Sequence, residues 1–441
     1  MKILYFIFFI IQNSIGKKIL KIPFKRKIEL ELNETNLIEN LYKNKIYTEI
    51  EIGNPSQKFK SYFKLQQFPT FIISIDNKDA KCDKFNQNKS NTFKFLDEIS
   101  SYITYINLDF KHGRLSKDDL YLNNKEIYFE NFKFFLAKDL IDEVKTFSSE
   151  IGLKISTSNY NVNKTVNFIY ELIENKFIDY YIFYFKFNEK NDNEGELIIG
   201  DYYHNIENKF TEKNYIYYKI PIIDNQLIWG FNHNYLYIKN EKIIDELLFI
   251  YFQIEFNFIH SIEEYFYEIK EKFFDKFKNK CFEKNFTVNY IKDKKIAYFV
   301  CDNSVDIKNF PELIIENIDM KYNFTFTYQD LFYNYNNKNY FLVVFQKPFK
   351  FEKKNWIFGK PFFKKYLTIF DGEKKVIGIY DNNIGKTNFN WSWIIVIILG
   401  LILIATCIYF KYYQSITKRK LRANELEDEY DYVSHIPEEQ K

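Results

Sequence analysis

The hydrophobic pattern changes character three times along the chain. Near the start, Met1-Lys2 precede an unbroken apolar run from Ile3 to Ile11, and Ser14 and Gly16 then supply small residues. A basic start, a short apolar core and small residues at the −3 and −1 positions predict a secretory signal peptide over 1–16. Near the other end, Trp391 to Phe410 is almost wholly apolar. At about 20 residues it is long enough for a hydrocarbon core roughly 30 Å thick, and it predicts one transmembrane helix over 391–410. Between the two, apolar and polar residues alternate in short runs such as Tyr47-Thr48-Glu49-Ile50-Glu51-Ile52, the period of a half-buried strand. Phe71-Ile72-Ile73 reads as a short buried strand. The body is therefore expected to be all-β.

Flanking residues orient the span. Trp391, Trp393, Tyr409, Tyr412 and Tyr413 mark its interfaces, and Lys411, Lys418, Arg419, Lys420 and Arg422 place the following side in the cytoplasm. A cleaved signal and one span make a type I membrane protein of the secretory pathway, bound for the plasma membrane or for endosome, lysosome or vacuole. The cytoplasmic tail, 411–441, is acidic and polar from Ala423 onward and is expected to lack fixed structure. Within it, Tyr430-Asp431-Tyr432-Val433 fits the tyrosine-based signal that clathrin adaptors read, with Tyr430 and Val433 as its two anchors. The alternative is a plain acidic tail.

Composition narrows the classes further. A net charge of +3 with no basic stripe gives no reason to expect nucleic acid as a partner. Aromatics make up 20 % of the chain, beside heavy Lys, Asn and Ile use, the bias of an AT-rich genome. No aromatic cluster is therefore read as a stacking platform. Of four cysteines, Cys407 lies inside the predicted span. Cys281 and Cys301 are expected to form a disulfide in an oxidising compartment, contributing about 3 kcal/mol by loop entropy. Cys82 is left over, as a free thiol or an intermolecular handle. Asn33, Asn88, Asn163, Asn285 and Asn323 head glycosylation sequons, whereas Pro55 excludes Asn54. The five histidines (His112, His204, His233, His260, His435) show no metal-ligand spacing. No phosphate loop or Cys/His arrangement appears, and no cofactor is called for.

Several segments, in order, carry a resemblance. Ile52-Gly53-Asn54-Pro55-Ser56-Gln57-Lys58-Phe59-Lys60-Ser61-Tyr62-Phe63, Tyr102-Ile103-Thr104-Tyr105, Glu150-Ile151-Gly152-Leu153, Gly195-Glu196-Leu197-Ile198-Ile199-Gly200 and Trp356-Ile357-Phe358-Gly359-Lys360-Pro361-Phe362 all resemble the pepsin-like aspartic protease family. The resemblance runs from about residue 18 to 382. It implies a bilobal fold with a propeptide-like segment at 17–44, an N-terminal lobe at 45–195 and a C-terminal lobe at 196–386. Tyr105 falls on the family's flap tyrosine. Cys82 falls where the family has a cysteine paired a few residues on, and this chain has no such partner.

The resemblance fails at the point of chemistry. The family places Asp-Thr-Gly-Ser after the first strand pair, where this chain has Lys64-Leu65-Gln66-Gln67, and Gln253-Ile254-Glu255-Phe256 stands at the second position. The family's reaction needs two adjacent carboxylates sharing a proton. A protonated Lys64 cannot act as the base, and Gln253 does not titrate. The implied protein is a pseudoprotease binding a peptide or protein in its cleft, with Lys64, Gln66, Tyr105, Gln253 and Glu255 as candidate contacts. Lys64 and Glu255 could meet as an ion pair in place of the dyad; alternatively Lys64 reaches solvent and Glu255 lines a wider groove. Two other readings stay open. One is an active endopeptidase with displaced aspartates, for which Asp109, Asp201 and Asp371 are the candidates. The other is an adhesive or structural surface glycoprotein working through Cys82 or its glycans.

Overall fold

The structure is a computed structural model that describes residues 18–26, 37–43, 45–67, 69–78, 80–96, 110–140, 148–155, 167–191, 193–207, 211–220, 222–223, 226–287, 295–346, 355–381 and 391–434. The chain forms two compact units, divided at residues 382 and 383.

The first unit is built on two large sheets. One begins with an antiparallel ladder in the order Tyr215–Lys219, Val376–Tyr380, Leu367–Asp371, Ile182–Phe187, Glu194–Ile199 and Leu20–Arg26. It continues through Ile46–Ile52, Gln57–Lys64, Ser149–Gly152 and Phe71–Ile73 to the long hairpin of Phe110–Leu122 with Ile127–Leu140. The other sheet centres on Gly230–Ile238, Glu241–Phe252, Asn355–Phe358, Ile259–Ile262, Val343–Gln346 and Lys295–Asp302. Aromatic side chains join them: Phe183 stacks on Phe370 at 4.8 Å, and Trp229 meets both rings edge-on at 5.8 and 5.1 Å. Rings of this size bury about 150–250 Å² each, so the compositional bias toward Phe and Tyr is absorbed by the core.

The segment resembling a propeptide is woven into this unit. In Leu20–Arg26, residues Leu20, Ile22, Phe24 and Arg26 are buried while Lys21, Pro23 and Lys25 are exposed, the alternation a sheet requires. Helix Leu37–Lys43 buries Leu37, Ile38, Leu41 and Tyr42 against Phe258, Ile296, Tyr298, Val300, Tyr340 and Val344. The expected disulfide joins Cys281 to Cys301, directly opposite each other in an antiparallel pair. Cys82 is free and half-buried, and burial pushes its thiol up. Asn88, Asn285 and Asn323 are exposed; Asn33 and Asn163 lie outside the described residues.

The second unit contains helix Trp391–Ser434. Its stretch Ile398–Lys420 is long and apolar enough to cross a membrane, overlapping the expected span. The tail departs from expectation, since the helix continues through Ala423 to Ser434. The physical reason lies in the sequence Lys418-Arg419-Lys420-Leu421-Arg422-Ala423 and Glu425-Leu426-Glu427. These are strong helix formers extending an existing helix, and extension avoids the cost of a new nucleus.

Candidate functional site

Each sheet makes one tip by the same construction. Strand Gln57–Lys64 ends in a tip and returns as Phe71–Ile73. Strand Ser149–Gly152 lies between the two arms, parallel to the first and antiparallel to the second. In the other sheet, Glu241–Phe252 returns as Ile259–Ile262, with Asn355–Phe358 between them in the same two senses. Register equates the tips residue by residue. Lys64 pairs with Gly152, and Phe252 pairs with Phe358, so Gln253 is level with Gly359.

The backbone bonds agree. Lys154 N–H donates to Gln67 O at 2.9 Å and Lys360 N–H donates to Phe256 O at 2.7 Å, each acceptor three residues past its tip's first position. The crossing strand passes very close beneath the second tip. A Cβ on Gly359 would lie 2.4 Å from Phe256 O and 2.6 Å from Phe258 O, both backbone atoms, so only glycine fits.

The side chains at equivalent positions then divide the work. The second residues, Leu65 and Ile254, are both fully buried. The third residues, Gln66 and Glu255, both reach across to the opposite tip. Gln66 Nε2 donates to Trp229 O at 2.6 Å and to Phe252 O at 3.0 Å. Glu255 Oε1 lies 3.4 Å from Lys64 Nζ. In the reverse direction the Trp229 indole donates to Leu153 O at 2.9 Å, just beyond the first crossing strand.

Lys64 has a second anionic neighbour, with Glu150 Oε1 3.6 Å from its ammonium. The Glu150 and Glu255 side chains are 0 % and 4 % exposed and that of Lys64 is 16 % exposed. At these separations each contact is worth about 5 kcal/mol with an effective dielectric constant near 20. Taking an ion out of water costs several kcal/mol, so the cluster positions charge more than it stabilises the fold. At formal charge it carries −1, the same as two carboxylates sharing one proton. The Tyr62 phenol is pushed up, first by burial and then by Tyr47, Glu150 and Cys82.

The structure therefore brings Lys64, Gln66, Gln253 and Glu255 to one place, while Tyr105 lies outside the described residues. Gln253 is part-buried and its N–H donates to Phe358 O at 3.0 Å. Two participants were missed from sequence. Glu150 had a weak signal, a charged residue beside Ile151 in a short, fully buried strand. Asn257 had none; its amide donates to Leu41 O at 2.5 Å and accepts from Arg26, tying the second tip to both N-terminal elements.

The aspartates considered as displaced catalytic groups do other work. Asp371 accepts from the Tyr202 hydroxyl and from Lys374 N–H, and Asp201 accepts from Tyr202 N–H and the Asn205 amide. Asp109 lies outside the described residues. Among the described residues no group of three His, Cys, Asp or Glu side chains is placed to hold a metal ion.

Two sheets, two register-matched tips and a crossing strand under each define a bilobal fold of the pepsin-like class. The sequence model of that class named eukaryotic aspartyl protease matches residues 45–381. The chain belongs to this family. No curated protein matches it closely enough to count as a relative.

Proposed function

We propose that the protein is a membrane-anchored, non-catalytic member of the aspartyl protease family that holds an extended peptide or protein segment between its lobes without cutting it. The observation that carries this reading is the identity of the two tip positions matched by register, Lys64 and Gln253. A proton-sharing pair needs a carboxylate at each. A protonated ammonium cannot be the base that activates water and an amide does not titrate, and each acid or base role is typically worth about 10² to 10⁴ in rate. Peptide binding by main-chain hydrogen bonds does not need the pair.

The rest of the chain fits this role. The signal-like start and the apolar helix support a body in the lumen or outside, with exposed Asn88, Asn285 and Asn323 available for glycans. The segment Tyr430 to Val433 offers a clathrin adaptor a sorting signal.

The test uses the full chain in detergent with a mixed peptide library from pH 3 to 7, with and without pepstatin. Retention of uncut peptides on the immobilised protein is the expected result. Pepstatin-sensitive cleavage would overturn the reading in favour of an active endopeptidase. Neither cleavage nor retention would leave an adhesive or structural role.

A further inference from the structure

We infer that the helix leaving the membrane carries a collar of cations, Lys411, Lys418, Arg419, Lys420 and Arg422, that binds the phosphates of anionic phospholipid headgroups. The inference rests on the membrane-anchored part of the proposed function and adds the chemical class of lipid held around the anchor. Two independent observations carry it.

The first is charge. The chain has no Asp or Glu from Asn382 to Asn424, and all five cations fall between Lys411 and Arg422. Each of the five is exposed, and among the described residues none of them forms an ion pair. A basic cluster immediately beside a span is drawn to a leaflet whose lipids carry net negative charge, and that attraction is additive over the cations near the surface. The same residues would repel one another along a bare helix, so a counter-charge from outside the chain is favoured.

The second is geometry. The helix runs without a break from Trp391 to Ser434, so the cations keep a fixed relation to the span. At about 100° per residue, Lys411, Lys418 and Arg422 fall within about 20° of one line, while Arg419 and Lys420 step on round the axis. The charges therefore cover more than half of the circumference. A one-sided stripe would suit a partner helix; a collar suits lipids, which surround a span on every side. Tyr409 and Tyr413, stacked at 6.4 Å and exposed, set the membrane interface just before it. Lys418 to Arg422 lie about 12–18 Å beyond Phe410 along the axis. The headgroup layer takes up about 5–8 Å of that distance. Side chains on a helix tilt toward its N-terminus, here back toward the membrane, and the long Lys and Arg stems extend that reach. The stretch able to cross a membrane itself ends at Lys420, so any slide of the span toward that end brings the collar closer.

The test reconstitutes the full chain in phosphatidylcholine vesicles, identical in both leaflets so that orientation does not enter. Trace spin-labelled phosphatidylserine or phosphatidylcholine is added, and electron paramagnetic resonance reads the fraction of each that the protein immobilises. A preference of about fivefold for phosphatidylserine is expected at physiological salt. Raising the salt to about 1 M, where the screening length is about 3 Å, is expected to bring it below about twofold, and this arm needs no variant. Lys418→Gln, Arg419→Gln, Lys420→Gln and Arg422→Gln combined are expected to do the same at physiological salt. Equal immobilisation of the two lipids by protein that floats with the vesicles would overturn the lipid inference alone and turn the collar over to an acidic protein segment. A preference that survives the four substitutions would overturn its assignment to these cations. Protein that does not float with the vesicles would overturn the membrane-anchored reading, and the inference with it.

Discussion

The two tips share a backbone and differ in what their side chains send across. Both begin level with a glycine of a crossing strand, both bury an aliphatic second residue, and both extend their third residue to the opposite lobe. The first tip is the donor, giving the Lys64 ammonium and the Gln66 amide. The second is the acceptor, giving the Glu255 carboxylate and the carbonyl of Phe252. A proton-sharing carboxylate pair is symmetric by nature, since either member can hold the proton. Here the scaffold is symmetric and the side chains it presents are complementary. Such an arrangement ties the two tips together by contacts that run from donor to acceptor.

The largest expected effect breaks the shared backbone. Gly359→Ala places a methyl group against the carbonyl oxygens of Phe256 and Phe258, neither of which can rotate aside. Destabilisation of about 5 kcal/mol or more is expected from this overpacking, read as a large loss of melting temperature or failure to fold. A shift of only a degree or two would show that the crossing strand is not held as described.

Next comes the asymmetry itself. Lys64→Met removes the ammonium that both buried glutamates face, and removing one side of such a cluster costs about 4 kcal/mol. Glu255→Gln leaves Lys64 with Glu150, so its cost is expected near 1 kcal/mol, the scale of one net hydrogen bond. Chemical denaturation of both variants checks the ranking. Equal costs would mean that Glu150 does not share the lysine.

The sequence made the scaffold legible because strand alternation, Gly53, Gly152 and Gly359, and Trp356 through Phe362 are local requirements that survive compositional drift. That Lys64 and Gln253 begin the two tips was legible for the same reason, from their place inside a continuous pattern. Glu150 was less so, because a lone glutamate in a short strand acquires meaning only from a lysine 86 positions earlier. Gln66 was assigned to the groove, yet its amide spans the lobes; nothing local shows that its partners are carbonyls of Trp229 and Phe252. The tail shows the opposite failure. Polar, acidic composition suggested no structure, but Ala, Leu, Glu and Lys at an existing helix end extend that helix.

Acidity acts on the carboxylates of the first unit in two opposite senses. Glu171, buried in the first lobe beside Lys133 at 3.1 Å, is pushed up to about 7 by burial, partly offset by that lysine. Its folded form keeps a proton that the unfolded chain, with the ordinary value of 4.5, has already released. The stability this contributes is complete below pH 4.5 and is lost as pH rises through 7, a difference of at most about 3 kcal/mol. Glu49, Glu51 and Glu207 are held below the ordinary carboxylate range, by Lys25, by Ser56 and by Lys186 with Tyr203 respectively. Their contribution has the opposite sign and is lost only at lower pH. Melting temperature is therefore expected to fall from pH 4.5 to 7, and Glu171→Gln to flatten that fall. An unchanged slope in the variant would place the proton elsewhere.

The smallest effect is the most specific to the comparison. Gln66→Ala removes two donations into the second lobe while leaving the Lys64–Glu255 contact and the Trp229 indole bond to Leu153 in place. Two lost hydrogen bonds, with the Trp229 and Phe252 carbonyls left unserved, are expected to cost about 1–2 kcal/mol. Gln66→Glu tests direction as well as number. A carboxylate cannot donate to two carbonyls, and it would add negative charge beside Glu255, so it should cost more than alanine despite its closer shape. If glutamate were tolerated better than alanine, the first tip would not be acting as the donor. The division of roles between the tips would then have to be reversed.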